Sequence, residues 1–204
     1  MASGTLIISC GALAREIKVL TGAGNRLGIA VHCLPAELHN HPERIPQAVG
    51  KVIHDAGDRF QKIFVAYGDC GTGGALDAVL REEGVERISG NHCYEFFAGS
   101  DLFMSLSEEE VGTFYLTDFL VRHFDRLVWQ GLGIAAKPEL LPLYFGNYRR
   151  LLYLAQTRDE TLQAAALEAA QRLGLEYHYL YTGYGLLEGA IGRISPALRT
   201  LDAE

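Results

Sequence analysis

The sequence predicts an α/β protein with a mostly parallel, Rossmann-like sheet flanked by helices, in about seven strand–helix units. Three observations predict it. Short runs of β-formers without charge, of which Ile63-Phe64-Val65-Ala66 is the clearest, have the composition of strands buried on both faces. Amphipathic stretches alternate with these runs, at spacings long enough for right-handed crossovers. Glycine-rich turns punctuate the alternation, above all Gly68-Asp69-Cys70-Gly71-Thr72-Gly73-Gly74.

In order along the chain, Thr5 to Cys10 reads as an apolar strand, and Ala12 to Leu20 as a helix stopped by Gly22, Gly24 and Asn25. Leu27 to Leu34 is a second strand, closing in His32-Cys33 and halted by Pro35. Ala36 to Pro46 is a loop or broken helix carrying His39, Asn40 and His41. Ile45, Val49, Val52, Ile53 and Ala56 then recur at helical spacing up to Gly57. The third strand begins at Ile63, and a helix over Ala75 to Glu83 follows, with Leu76, Val79 and Leu80 on one face and Gly84 as its stop.

Val85 to Ser89 is a short fourth strand leading into Asn91-His92-Cys93-Tyr94-Glu95. Gly112 to Leu116 is a fifth, with Thr117 as N-cap of a helix over Asp118 to Gln130. Pro138 to Tyr144 is a short helix and Arg149 to Ala155 a sixth strand. Thr157 and Glu160 have the spacing of a capping box for a helix over Asp159 to Leu173. Leu175 to Thr182 is a seventh strand with Tyr177, Tyr179 and Tyr181 on one face, either as sheet packing or as the wall of a flat-ligand pocket. A last helix follows Gly183-Tyr184-Gly185, and Ser195 to Glu204 reads as a loose tail.

With 204 residues, 49% of them hydrophobic and 21% charged, the chain is expected to form a single α/β domain over 1–204. A subdivision near residue 110 would separate a cysteine-bearing half, 1–110, from a tyrosine-rich half, 111–204. The net charge of −7 and the lack of a basic cluster argue against nucleic acid. No apolar run approaches the roughly 20 residues of a membrane helix, and no secretory leader is visible. A cytoplasmic location follows as the expectation, and with it free thiols or metal ligands rather than disulfides.

Cys10, Cys33, Cys70 and Cys93 each stand at or just beyond the carboxyl end of one of the first four strands. In a parallel sheet those ends share an edge, and neighbouring strands are only about 4.8 Å apart. Thiolate and imidazole together favour zinc or an iron–sulfur cluster over magnesium or calcium. The four cysteines are therefore the candidate metal ligands, and His32, Asp69 and His92 the candidate catalytic groups. His39 or His41 is a supplementary ligand, a proton carrier, or simply a solvated loop residue. Cysteines also pack as ordinary buried side chains, and no Cys-x-x-Cys pair is present. Gly71, Thr72, Gly73 and Gly74 form either a tight turn or an anion-binding nest for a cofactor, though not a Walker A loop.

Several short motifs occur together: Cys10-Gly11-Ala12-Leu13-Ala14-Arg15-Glu16, His32-Cys33-Leu34-Pro35-Ala36 with Leu38-His39-Asn40, Gly68-Asp69-Cys70-Gly71 and His92-Cys93-Tyr94-Glu95. With Leu116-Thr117-Asp118-Phe119 and Phe145-Gly146-Asn147-Tyr148, the set resembles the family known as domain of unknown function 1638. The resemblance implies an association with corrinoid-dependent demethylation systems, and hence a small molecule or a corrinoid protein as partner. Three functions are thus open. The first is a metal centre serving thiol or methyl-group transfer. The second is a metal-independent cysteine nucleophile with His32 or His92 as base. The third is a non-catalytic accessory protein of a corrinoid methyltransferase system.

Overall fold

The apolar run Leu6-Ile7-Ile8, followed by the small, buried Ser9 and Cys10, lets strand β1, Thr5–Cys10, run through the middle of a sheet with both faces covered. It lies between β2, Ile29–Leu34, and β3, Lys62–Ala66, and β4, Glu86–Arg87, pairs with the far side of β3. All pairings are parallel, in the order β2-β1-β3-β4. The computed structural model describes residues 4–22 and 28–194. The expected start of β2 at Leu27, part of the turn before it, and the tail from Ser195 lie outside the described residues.

Helix α1, Ala14–Leu20, follows a 3-10 turn, and α2, Ile45–Ala56, buries Ile45, Val49, Ile53 and Ala56 of the stripe read from spacing, while Val52 is only half-buried. Ala36–Asn40 and Pro42–Arg44 are two 3-10 turns. Helix α3, Ala75–Glu83, ends at Gly84, whose φ of 64° explains the glycine there. The fourth strand is shorter than Val85 to Ser89. Beyond Arg87 the chain bends to let that guanidinium donate to the Ile88 and Gly90 carbonyls.

The chain divides into two units, one comprising residues up to Phe96 and from Leu186 onward, the other Phe97–Gly185. Helix α4, Cys93–Ala98, spans the first changeover, and α5, Ser100–Glu109, follows it. The second unit's sheet consists of β5, Thr113–Leu116, β6, Arg150–Ala155, and β7, Glu176–Tyr181, parallel and in sequence order. The strands are thus seven among the described residues, as expected, but they are shared between two parallel sheets.

Sequence periodicity did not foresee α5, whose Leu102 and Met104 are exposed and give it no clean apolar stripe. Its hold on the sheet is polar. Buried Arg150 donates to Thr113 Oγ1 at 2.7 Å, to the Leu106 carbonyl at 2.7 Å and to Glu109 at 3.2 Å. The helix expected over Asp118 to Gln130 is broken: α6, Asp118–Arg122, gives way to a π-helical turn over Asp125–Gln130. There Arg172 lies 4.3 Å above the Trp129 ring and pairs with Asp125 at 2.7 Å, while Phe124 and Val128 stay in the core.

Helix α7, Leu141–Phe145, precedes β6, and α8, Glu160–Leu173, covers the second sheet. The N-cap of α8 is Asp159, which accepts from the amides of Thr161 and Leu162, not Thr157. Thr157 turns instead to a buried carboxylate described below. Tyr177 packs against the second core, while Tyr179 and Tyr181 are exposed on the edge strand β7, the latter under Arg158. Helix α9, Gly185–Ile194, buries Leu187, Ala190, Ile191 and Ile194.

Candidate functional site

The strand order β2-β1-β3-β4 places a topological switch point between β1 and β3. The chain leaving β1 crosses to one side and the chain leaving β3 to the other, and it is at the carboxyl ends of two such strands that α/β sheets form the crevice in which they bind ligands. Cys10 is the last residue of β1, and Tyr67 the first after β3. Both are buried, Tyr67 completely.

Backbone hydrogen bonds bring the remaining thiols to this crevice. Asp69 N–H donates to the Gly90 carbonyl at 3.1 Å and Cys70 N–H to that of Asn91 at 2.8 Å, stitching the loop after β3 to the one before α4. Gly68 is needed at this seam, since a Cβ there would stand 3.1 Å from the Asn91 carbonyl oxygen. Arg87 braces the second loop, holding the Asp77 carboxylate through two hydrogen bonds of 2.6 and 2.9 Å. Glu95 accepts from the Asn91 amide at 2.7 Å, which fixes the turn that starts α4 at Cys93. Cys70 itself adopts φ +50°, the left-handed region that non-glycine residues seldom occupy.

Three sulfurs act on one another here. Burial pushes the Cys10 thiol up to about 11 and the Cys70 thiol up to about 12, and carries that of Cys93 well above its ordinary value. Cys10 and Cys70 each raise Cys93 further, and Cys10 raises Cys70. All three bear on Tyr67, whose phenol is likewise raised, first by desolvation. In the free protein these thiols are protonated at neutral pH, unlike the exposed low-pKa thiol that a metal-independent nucleophile requires. Among the described residues no three His, Cys, Asp or Glu side chains are already arranged to hold a metal ion. The three sulfurs are thus near one another without forming a preassembled ligand set.

His39 completes the cluster. Its ring stacks on Tyr67 at 6.2 Å, and Nδ1 stands 3.2 Å from the Ala36 carbonyl and 3.7 Å from Cys10 Sγ. Since a carbonyl only accepts, Nδ1 carries the hydrogen and Nε2 keeps its lone pair. Burial lowers the pKa of His39, and the nearby His92 lowers it further, so the ring is neutral.

The other candidates fall as follows. Cys33 is exposed on edge strand β2, close enough to act on Cys10, and His32 beside it is also exposed. His41 is exposed beside Glu43. The Asp69 carboxylate accepts from Thr72 Oγ1 at 2.6 Å and from the amides of Gly74 and Gly73 at 2.9 and 3.1 Å. Those bonds, Thr72 first, hold it below the usual carboxylate range. Of the two readings of Gly71, Thr72, Gly73 and Gly74, this geometry is that of a tight turn, in which the Gly73 and Gly74 amides cap the chain's own Asp69 carboxylate. Tyr67 escaped notice as a site residue because it ends a run of β-formers; its signal was a lone phenol at the tip of an otherwise apolar strand.

The second sheet's carboxyl edge holds a different arrangement. Asp118, buried just past β5, accepts from the Tyr153 hydroxyl at 2.7 Å, the Gln156 amide at 2.9 Å and the Thr157 hydroxyl at 2.5 Å. Its own amide donates to Gln156 Oε1 at 2.8 Å. This carboxylate ties the end of β5 to the end of β6.

No helix among the described residues is long and apolar enough to cross a membrane. No curated protein matches the chain. Among solved structures, ornithine carbamoyltransferase from Pyrococcus furiosus aligns at 13% identity and a TM-score of 0.25, over 88% of this chain and 55% of that one. Similarity at that level has no bearing on activity, and the chain spans only about half the length of that enzyme. The model of a family described as "Protein of unknown function (DUF1638)" matches residues 33–191, well over half of the chain and a span that includes Cys33, Cys70, Cys93 and Asp118. The chain therefore belongs to the DUF1638 family.

Proposed function

We propose that the carboxyl edge of the first sheet is a thiolate metal centre, with Cys10, Cys70 and Cys93 as its sulfur ligands and zinc or an iron–sulfur cluster as its occupant. The observation that carries this reading is that three thiols from three separate elements bear on the buried Tyr67 at the switch point, with Cys10 close enough to act on Cys70 and both on Cys93. A soft cation suits such a donor set, and its charge would offset the desolvation that keeps the free thiols protonated. The left-handed Cys70 supports the same reading, since backbone strain at an unpaired thiol is otherwise a cost without return. When bound, the ion would supply a thiolate or Lewis-acid function suited to alkyl or thiol transfer. A reducing, cytoplasmic setting and a small-molecule or corrinoid-protein partner complete the proposal.

Elemental analysis of anaerobically purified wild type and Cys70→Ala tests it. The expected result is stoichiometric zinc or iron in the wild type and loss of metal in a Cys70→Ala protein whose circular dichroism is unchanged. A folded wild type that takes up neither metal under reducing conditions would refute the reading.

A further inference from the structure

Between α8 and the π-helical turn that follows α6, the second unit holds an open cavity of about 250 Å³. Helix α8 lines it with Ala165 and Ala169, whose short side chains leave the space unfilled. The charged lining is Arg122, Arg126 and Arg172 against Asp125 and Glu168, so guanidiniums outnumber carboxylates. Arg172 sits over the Trp129 ring and gives Asp125 one hydrogen bond of 2.7 Å, out of the five N–H groups that a guanidinium carries. Arg122 stands 3.9 Å from both Asp118 and Asp159, within ion-pair range but too far for a hydrogen bond. Neither side chain is saturated. π-Helical turns are scarce and concentrate at functional sites. This one replaces the regular helix that the sequence predicts up to Gln130, and it supplies Asp125 and Arg126 to the cavity wall.

We propose that this cavity binds the phosphate group of a small phosphorylated molecule. Planar guanidinium forks match phosphate oxygens, and three of them, from α6, the π-helical turn and α8, suit the three terminal oxygens of a phosphate better than the two of a carboxylate. Asp125 holds one guanidinium in place over the indole, and Glu168 limits the affinity for any anion. The site belongs to the second unit alone and does not depend on the metal centre proposed above.

Trp129 is the chain's only tryptophan, so its fluorescence reports on the guanidinium stacked over it. The test titrates the full-length protein with inorganic phosphate, and with acetate and chloride at matched ionic strength, in wild type, Arg126→Gln and Glu168→Gln. Both replaced residues are exposed, so both variants should keep the wild-type circular dichroism. A saturable change in Trp129 emission with phosphate, and none with acetate or chloride, is the expected result. Arg126→Gln should bind phosphate about tenfold more weakly, as befits loss of a charge-assisted hydrogen bond, and Glu168→Gln about threefold more tightly. Should Arg126→Gln fail to fold, the tightening in Glu168→Gln carries the test by itself. No saturable response to phosphate, or one affinity shared by wild type and the folded variants, would overturn the proposal. So would acetate binding as tightly as phosphate, which would make the cavity a general anion site.

Discussion

The two sheets end differently at their carboxyl edges, and the difference separates a candidate site from a seam. In the first, strand order reverses between β1 and β3, and the edge collects three thiols, a neutral histidine and a phenol whose hydroxyl has only the weakly accepting Cys10 thiol beside it. In the second, β5, β6 and β7 follow one another without a reversal, and the polar groups at the ends of β5 and β6 satisfy one another through Asp118. Buried polarity is common to both. What distinguishes them is satisfaction: a closed hydrogen-bond network stabilises a fold, whereas polar groups with only weak mutual contacts at a switch point suit the ligand site proposed above.

The contrast is broken most forcefully at Asp118. Replacing it with alanine leaves the Tyr153 hydroxyl and the Gln156 amide buried without an acceptor, and should lower unfolding stability by about 3 kcal/mol. Denaturant titration would detect this, and a loss under about 1 kcal/mol would mean that the second edge is not the seam described. The next largest effect concerns reactivity. In metal-free native protein, iodoacetamide followed by mass spectrometry should mark exposed Cys33 at least about tenfold faster than Cys10 or Cys70, whose thiols burial keeps protonated. Zinc should further protect Cys10, Cys70 and Cys93 together while sparing Cys33 none of its labelling.

Smaller is the backbone effect at Cys70. Glycine adopts its φ of +50° without strain, so Cys70→Gly should be about 1 kcal/mol more stable than Cys70→Ala, although neither retains the thiol. Equal stabilities would show that the left-handed turn stores no strain. Smallest is the pH dependence at Asp69, whose carboxyl the Thr72 hydroxyl and the Gly74 and Gly73 amides hold below its usual value. Its contribution is full above the usual carboxylate pKa of about 4 and is lost as pH falls through the lower folded value. The stability advantage of wild type over Asp69→Asn should therefore be constant near neutrality and shrink below about pH 4. An advantage that grew on acidification would contradict the capping role.

Much of this was legible in the chain. Uncharged β-runs marked β1 and β3 because central strands of parallel sheets are buried on both faces, and the stop at Gly84 placed the end of α3 to the residue. The positions of Cys10, Cys70 and Cys93 after successive strands indicated a shared edge. Strand order was not readable, because it depends on which way each crossover turns, and without it neither the division into two sheets nor the switch point could be foreseen. Asp69 was visible as a polar residue in a glycine turn, but not its occupation of that turn's own amides. Tyr67, Arg150 and Asp118 act through partners tens of residues away, which no local pattern records.

X-ray absorption at the metal edge of the anaerobically purified full-length protein tests the central claim most directly. Three sulfur scatterers at about 2.3 Å around zinc, or the sulfur shell of an iron–sulfur cluster, is the predicted result. A metal surrounded by oxygen and nitrogen alone would contradict it.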